Sequence, residues 1–270
     1  MPPGKSYEPP QCMDDAGGKK LLMTQTATRP AIRVEPSPRW VRGLVNGVPI
    51  VDSKRVVLVY GARRLATYFF PIADVRMDML QPAESQVQPG EKRFTLTMGG
   101  RSIDDIAWIY TDLDGEHAQL RDYIAFEWRK VDAWYEEDDE VFVHPRDPRH
   151  RVDVLNSSRH VKVVVAGQVV AETRRPRLLF ETGLRTRYYI PKVDVRMDLL
   201  EPTATVTQCP YKGNASYWSV RIGDQVFPDL VWSYPFPIPE CPKIQNLVAF
   251  YTERVELYVD GELEVAPAPR

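Results

Sequence analysis

Apolar and polar positions alternate along short stretches of this chain, and Gly, Pro, Asn and Asp punctuate them, which is the signature of half-buried β-strands. Residues 255–259, V-E-L-Y-V, face E-L-E-V (262–265) across Asp260-Gly261, and the pattern predicts a tight hairpin. Asn46-Gly47 sits between two apolar runs, where a type I′ turn needs positive φ at both central residues. Ala166-Gly167 occupies the same place between Val161/Val163/Val165 and Val169/Val170, and Gly99-Gly100 and Gly223-Asp224 mark one more hairpin each. Helical spacing is rare. The clearest case follows Pro71 and Pro191, where D-V-R-M-D-L-L places Val195 and Leu199 on one face and predicts one short helix.

The pattern occurs twice. Residues 47–82 align with residues 167–202 at a constant offset of 120 positions, clearest in Y-F-F-P-I-A-D-V-R-M-D-M-L-Q-P against Y-Y-I-P-K-V-D-V-R-M-D-L-L-E-P. A loop four residues longer in the second copy moves the offset to 124, at which Asp105, Trp108 and Tyr110 meet Asp229, Trp232 and Tyr234. A repeat of this length is a duplicated domain rather than a solenoid unit. The fold expected is all-β: two tandem small β-barrel or folded-sheet domains, packed as an intramolecular pseudo-dimer.

Residues 1–38 hold seven prolines and few aromatics, so they read as a mobile tail. The first domain then spans 39–144, a charged linker 145–157, the second domain 158–265, and 266–270 end the chain. Thirty-five basic residues against 37 acidic give a net charge of −2, which supplies no electrostatic footprint for nucleic acid. No apolar run is long enough to span a bilayer as a helix. Three cysteines, Cys12, Cys209 and Cys241, form neither a disulfide framework nor a zinc quartet and fit a reducing cytoplasm. The expectation is a cytoplasmic protein with no metal and no cofactor, binding neither membrane nor nucleic acid; homo-oligomers stay open.

Residues common to both copies are read first as structure. Arg76 and Arg196 each lie between two aspartates, Asp74 and Asp78 or Asp194 and Asp198, and are expected to be held between both carboxylates. Function is sought where the copies part. Only the second has L-F-E-T-G-L-R-T-R-Y-Y-I-P (179–191), the longer T-Q-C-P-Y-K-G-N-A-S-Y-W-S-V (207–220) and W-S-Y-P-F-P-I-P-E-C (232–241).

These motifs, with D-V-R-M-D-L-L and L-V-A-F-Y, resemble a widespread bacterial and fungal family of uncharacterised β-rich domains that some classifications label nucleotidyltransferase-like. The resemblance covers nearly all of the second copy; the first follows it in outline and lacks E-T-G and C-P-Y-K-G. It implies the fold, and its label implies nucleotidyl transfer. The residues contain no phosphate-cradling glycine loop and no Gly-Ser followed by paired acidic metal ligands.

The chemistry read from the residues centres on Cys209, a candidate nucleophile because Lys212 three positions on would favour its thiolate. Its base would be Glu181 or, through space, His160. Packing of a small Cys at a tight turn is the competing reading, and Cys209 with Cys241 as a redox pair is a weaker one. Thr182, Arg187, Tyr189, Tyr211, Lys212, Tyr217 and Trp232 complete a set suited to orienting a small polar or anionic molecule between aromatic walls. The alternatives are an interaction or scaffold module without catalysis, and the nucleotidyltransferase of the family label.

Overall fold

The computed structural model describes residues 32–61, 65–84 and 90–265. Most of its strands are short because β-branched and aromatic runs are interrupted every few residues by turn formers. In the first copy they are β1 Arg33–Pro36, β2 Val41–Val45, β3 Val48–Ser53, β4 Val57–Tyr60, β5 Ala66–Pro71, β6 Leu80–Pro82, β7 Glu91–Met98, β8 Arg101–Tyr110, β9 Tyr123–Phe126, β10 Ala133–Glu136 and β11 Asp139–Glu140. The second copy repeats them in order as β12 Val152–Asn156, β13 Val161–Val165, β14 Gln168–Thr173, β15 Arg177–Glu181, β16 Arg187–Tyr189, β17 Leu200–Cys209, β18 Gly213–Ile222, β19 Gln225–Ser233, β20 Val248–Phe250, β21 Glu256–Val259 and β22 Glu262–Leu263.

The topology repeats as well. A seven-stranded antiparallel sheet runs β1-β4-β5-β9-β8-β7-β6, and a four-stranded sheet runs β11-β10-β2-β3. The second copy has β12-β15-β16 and β20-β19-β18-β17, joined where Ile190 and Val248 exchange backbone hydrogen bonds of 2.7 and 2.9 Å, opposite a small sheet β22-β21-β13-β14. Register is conserved to the residue: Arg33 faces Tyr60 and Asp153 faces Phe180, and β2 and β13 carry the same bulge after Gly43 and Val163. The two inner faces enclose the main core of each copy, built on Val41, Leu58, Phe70, Leu96 and Ile106 in one and Val161, Leu178, Ile190, Val220 and Leu230 in the other. The all-β expectation holds.

The predicted hairpins form. Asn46-Gly47, Ala166-Gly167 and Asp260-Gly261 all take positive φ at both central positions (50° and 74°, 47° and 77°, 54° and 89°). The predicted helix does not form. In each copy it is two three-residue 3₁₀ turns, Ile72–Asp74 and Met77–Met79 or Lys192–Asp194 and Met197–Leu199, separated by two residues of which the first is extended. That first residue, Val75 or Val195, bridges to Val51 or Ala171, so pairing with the small sheet displaces the helix.

Two segments read as tail and linker contain strands. β1 pairs with β4 and β12 with β15, so each copy starts at its first strand, and only residues up to 31 of the proposed tail lie outside the described part. Pro36 ends an edge strand, where its missing N–H leaves no ladder bond unmade.

The shared Arg–Asp cluster is also rearranged. Arg76 and Arg196 hold only Asp78 and Asp198, in exposed bidentate pairs. Asp74 instead accepts from Ser53 Oγ (2.6 Å) and Arg55, and Asp194 from Thr173 Oγ1 (2.8 Å) and Arg175. These contacts fasten the first 3₁₀ turn to the strand behind it. The Arg55 and Arg175 hydrogen bonds hold both carboxyls below their ordinary range, against a smaller opposing effect of desolvation.

No helix among the described residues is long and apolar enough to cross a membrane.

Candidate functional site on the outer face of the second copy

Strand alternation decides which residues meet. In β15 and β16, Leu178 and Tyr188 turn inward to the main core, and Leu179, Glu181, Arg187 and Tyr189 turn to the opposite, outer face. Tyr217 of β18, Trp232 of β19 and Ala249 of β20 join them, and residues 235–247 fold over the sheet to bury Tyr234, Cys241 and Ile244 against it. A second apolar layer results, largely aromatic.

At one end of this layer lies a buried charge network. Lys212 Nζ donates to Glu181 Oε2, with side chains 11 % and 6 % exposed, and Glu181 Oε1 lies 3.0 Å from His150 Nε2. The Tyr211 ring stacks on His150 at 4.0 Å, and the Tyr211 hydroxyl accepts from the Asp147 amide at 2.8 Å. Tyr60 of the first copy donates to Asp147 at 3.1 Å, so a continuous chain of contacts runs from the first copy through the linker to Lys212. Residues 145–150 thus form an ordered latch.

The C-P-Y-K-G turn is shaped for this. Lys212 N–H donates to Cys209 O, and the Lys212 carbonyl accepts from Ile238 N–H in the covering loop (3.1 Å). Gly213, with φ 103°, pairs with Pro237, and an added Cβ would lie 3.1 Å from the Phe236 carbonyl oxygen. Only glycine fits without displacing the loop.

At the other end Arg187 makes a bidentate pair with Glu253 (both 2.7 Å) and donates to Thr252, while its guanidinium lies 5.4 Å from the Trp232 ring centre. Trp232 Nε1 donates to the Tyr189 hydroxyl, and the hydroxyls of Thr207, Tyr217 and Tyr251 form a chain. Desolvation works to raise the Glu253 pKa, but hydrogen bonds from Arg187 and from the backbone outweigh it and leave it at about 2.

The structure therefore brings Glu181, Lys212 and Tyr211 into one network and Arg187, Tyr189, Tyr217 and Trp232 into another, on one face. Thr182 stands apart, exchanging hydrogen bonds with the Arg151 backbone. Cys209 packs half-buried against the aromatic layer, and both Cys209 and Cys241 are free thiols. Burial pushes the Cys241 thiol up to about 11, although Lys212 pulls it down. The histidine beside Glu181 is His150; His160, the candidate from sequence, pairs with Glu172 on the surface instead. A ring in a linker that reaches the site by stacking on Tyr211 and pairing with Glu181 leaves no mark in the local pattern. Among the described residues no group of three or more His, Cys, Asp or Glu is placed to hold a metal ion.

The shared topology and the site motifs coincide with a family match: the domain of unknown function DUF427, labelled NTP_transf_9, matches residues 33–137 and again 153–261. The chain belongs to the DUF427 family. The first DUF427 match contains β1 and the second begins one residue into β12, in agreement with the strand pairing. No curated protein matches the chain.

Proposed function

We propose that the outer face of the second DUF427 copy is a recognition site for a small polar or anionic molecule. The observation that carries this reading is the Glu181–Lys212–His150 network, buried beside an aromatic layer in one copy. The aligned position for Glu181 in the first copy is Gly61, and its shorter hairpin has no C-P-Y-K-G, yet the same strands form in the same register. The fold does not depend on the network. Burying ions is costly and a buried pair seldom adds stability over an apolar replacement, so its presence in one copy supports a role beyond folding. An ammonium has three donors, and Glu181 takes one, which leaves Lys212 fixed in place with capacity for the oxygens of a ligand. Chemistry at Cys209 would be an addition to this binding role: both Glu181 oxygens are already engaged by Lys212 and His150.

The test is a thermal-shift screen with small carboxylates, phosphates and nucleosides. A binder at about 100 times its dissociation constant adds roughly 2.7 kcal/mol to the wild type. That shift should vanish in Lys212→Met and survive in Arg93→Met of the first copy. Persistence of the shift in Lys212→Met would remove the site from this face.

A further inference from the structure

A second site lies where the copies meet. An open cleft of about 540 Å3 is walled by Trp128 and Trp134 of the first copy and capped from the second by Val206 and Gln208 of β17. The two indoles stack, with ring centres 5.3 Å apart and planes at 20°, and Trp128 is half-buried. At the equivalent positions the second copy has Thr252 and Leu257, so the repeated fold does not require this wall. Phe142, 46 % exposed, adds an apolar face at the mouth.

Two opposite charges line the same cleft without meeting. Arg129 and Glu140 are both exposed, and among the described residues neither has an ion-pair or side-chain hydrogen-bond partner. The cleft's other carboxylate, Asp132, is neutralised by Arg101 at 3.0 Å and accepts from the Asn46 amide. An uncommitted cation and an uncommitted anion around an aromatic wall match a zwitterion with a flat apolar body.

The backbone at the mouth is strained. His144 N–H donates to Phe142 O at 2.9 Å across Val143, whose φ is 74°. That is a γ-turn of the rare positive-φ kind, with a β-branched residue at its centre, where such a conformation is a genuine outlier. Strain of this type persists where surrounding structure enforces it and is concentrated at ligand clamps. Here it holds Phe142 and Val143 at the cleft edge.

We propose that this cleft binds a small aromatic zwitterion of the amino-acid class, its ring against Trp128, its carboxylate on Arg129 and its ammonium on Glu140. The site is separate from the outer face of the second copy and does not rest on that reading.

Calorimetric titration of the full chain with L-phenylalanine tests it, alongside phenethylamine, 3-phenylpropionate and L-alanine, which lack the carboxylate, the ammonium and the ring. L-phenylalanine should bind, and each of the others should bind about tenfold more weakly or worse, as loss of one charged or aromatic contact implies. Arg129→Gln should bring L-phenylalanine to the level of phenethylamine, and Glu140→Gln to that of 3-phenylpropionate. Val206→Trp, at a position 63 % exposed, should fill the cleft and abolish binding with the melting temperature unchanged. Arg187→Gln on the other site should leave it intact. Absence of L-phenylalanine binding at millimolar concentration, equal binding of L-alanine, or undiminished binding in Val206→Trp would each overturn the proposal.

Discussion

The outer faces of the two large sheets start from the same residues and end differently. Trp108 and Trp232 occupy the same place, and both receive a guanidinium over the ring, at 4.8 and 5.4 Å. The arginines come from different strands. Arg93 rises from β7 and is held by Glu91 and Glu127 (2.6 and 2.7 Å), with its side chain 6 % exposed. In the second copy the position of Arg93 is Tyr217, that of Glu127 is Tyr251, and Arg187 reaches in from β16 instead. A cation over the shared tryptophan is therefore common to both copies and says little about function. The Glu181–Lys212–His150 network has no such counterpart, which is why it bears the functional reading.

The comparison predicts unequal costs. Arg93→Met should destabilise the first copy by about 3–5 kcal/mol, because it strands the buried Glu91 carboxylate. Arg187→Met should cost about 1 kcal/mol, since Glu253 is a third exposed and can rehydrate. Urea unfolding of the two variants checks this, and equal losses would erase the distinction between the faces.

Lys212→Met alone should cost about 2–3 kcal/mol by leaving Glu181 with His150 as its sole partner, whereas Glu181→Gln with Lys212→Met should recover most of that loss. A double variant as stable as the wild type means that the pair is not retained for stability. A double variant that stays fully destabilised would make the network a structural latch for residues 145–150.

Acid should find the second copy's other ion pair. The Glu253 pKa falls from 4.5 to about 2 on folding, so its contribution is present above pH 4.5 and is lost as pH falls towards 2. Allowing for solvent screening, about 1–2 kcal/mol is at stake. Wild type should lose that much more stability than Glu253→Gln when urea midpoints at pH 6 and pH 3 are compared.

The smallest effects lie at positions that differ in one atom group or carry exposed charge. Ala166 stands at φ 47°, where the first copy has Asn46 at φ 50°. Ala166→Asn should therefore gain about 0.5–1 kcal/mol, as Asn tolerates the left-handed region better. Arg76→Ala and Arg196→Ala should each leave the melting temperature close to that of the wild type, because both pairs are exposed and screened by solvent. Thermal melts of the three variants against wild type decide this.

Much of the fold was legible in residue order alone. Alternation and the turn pairs Asn46-Gly47, Ala166-Gly167 and Asp260-Gly261 specify hairpins through local backbone sterics, which need no partner to act. Duplication announced two equivalent domains for the same reason, since equal patterns fold alike. Even the true partners of Asp74 and Asp194 left a trace, as Ser53-x-Arg55 and Thr173-x-Arg175 recur at the offset of 120.

Other features were decided by contacts between distant strands. Val75 and Val195 break their helical pattern because the small sheet offers a bridge, a choice invisible within ten residues of sequence. Gly43 admits Trp134, whose Cζ3 would lie 2.7 Å from an added Cβ, while the second copy pairs Val163 with Leu257 at the same two positions. His150 joins Glu181 only because the linker folds back, and the cleft exists only because β17 of one copy faces the indoles of the other. Local sterics and side-chain period thus set the elements. Which face meets which, and so where buried charge and open cleft fall, depends on packing across the whole chain.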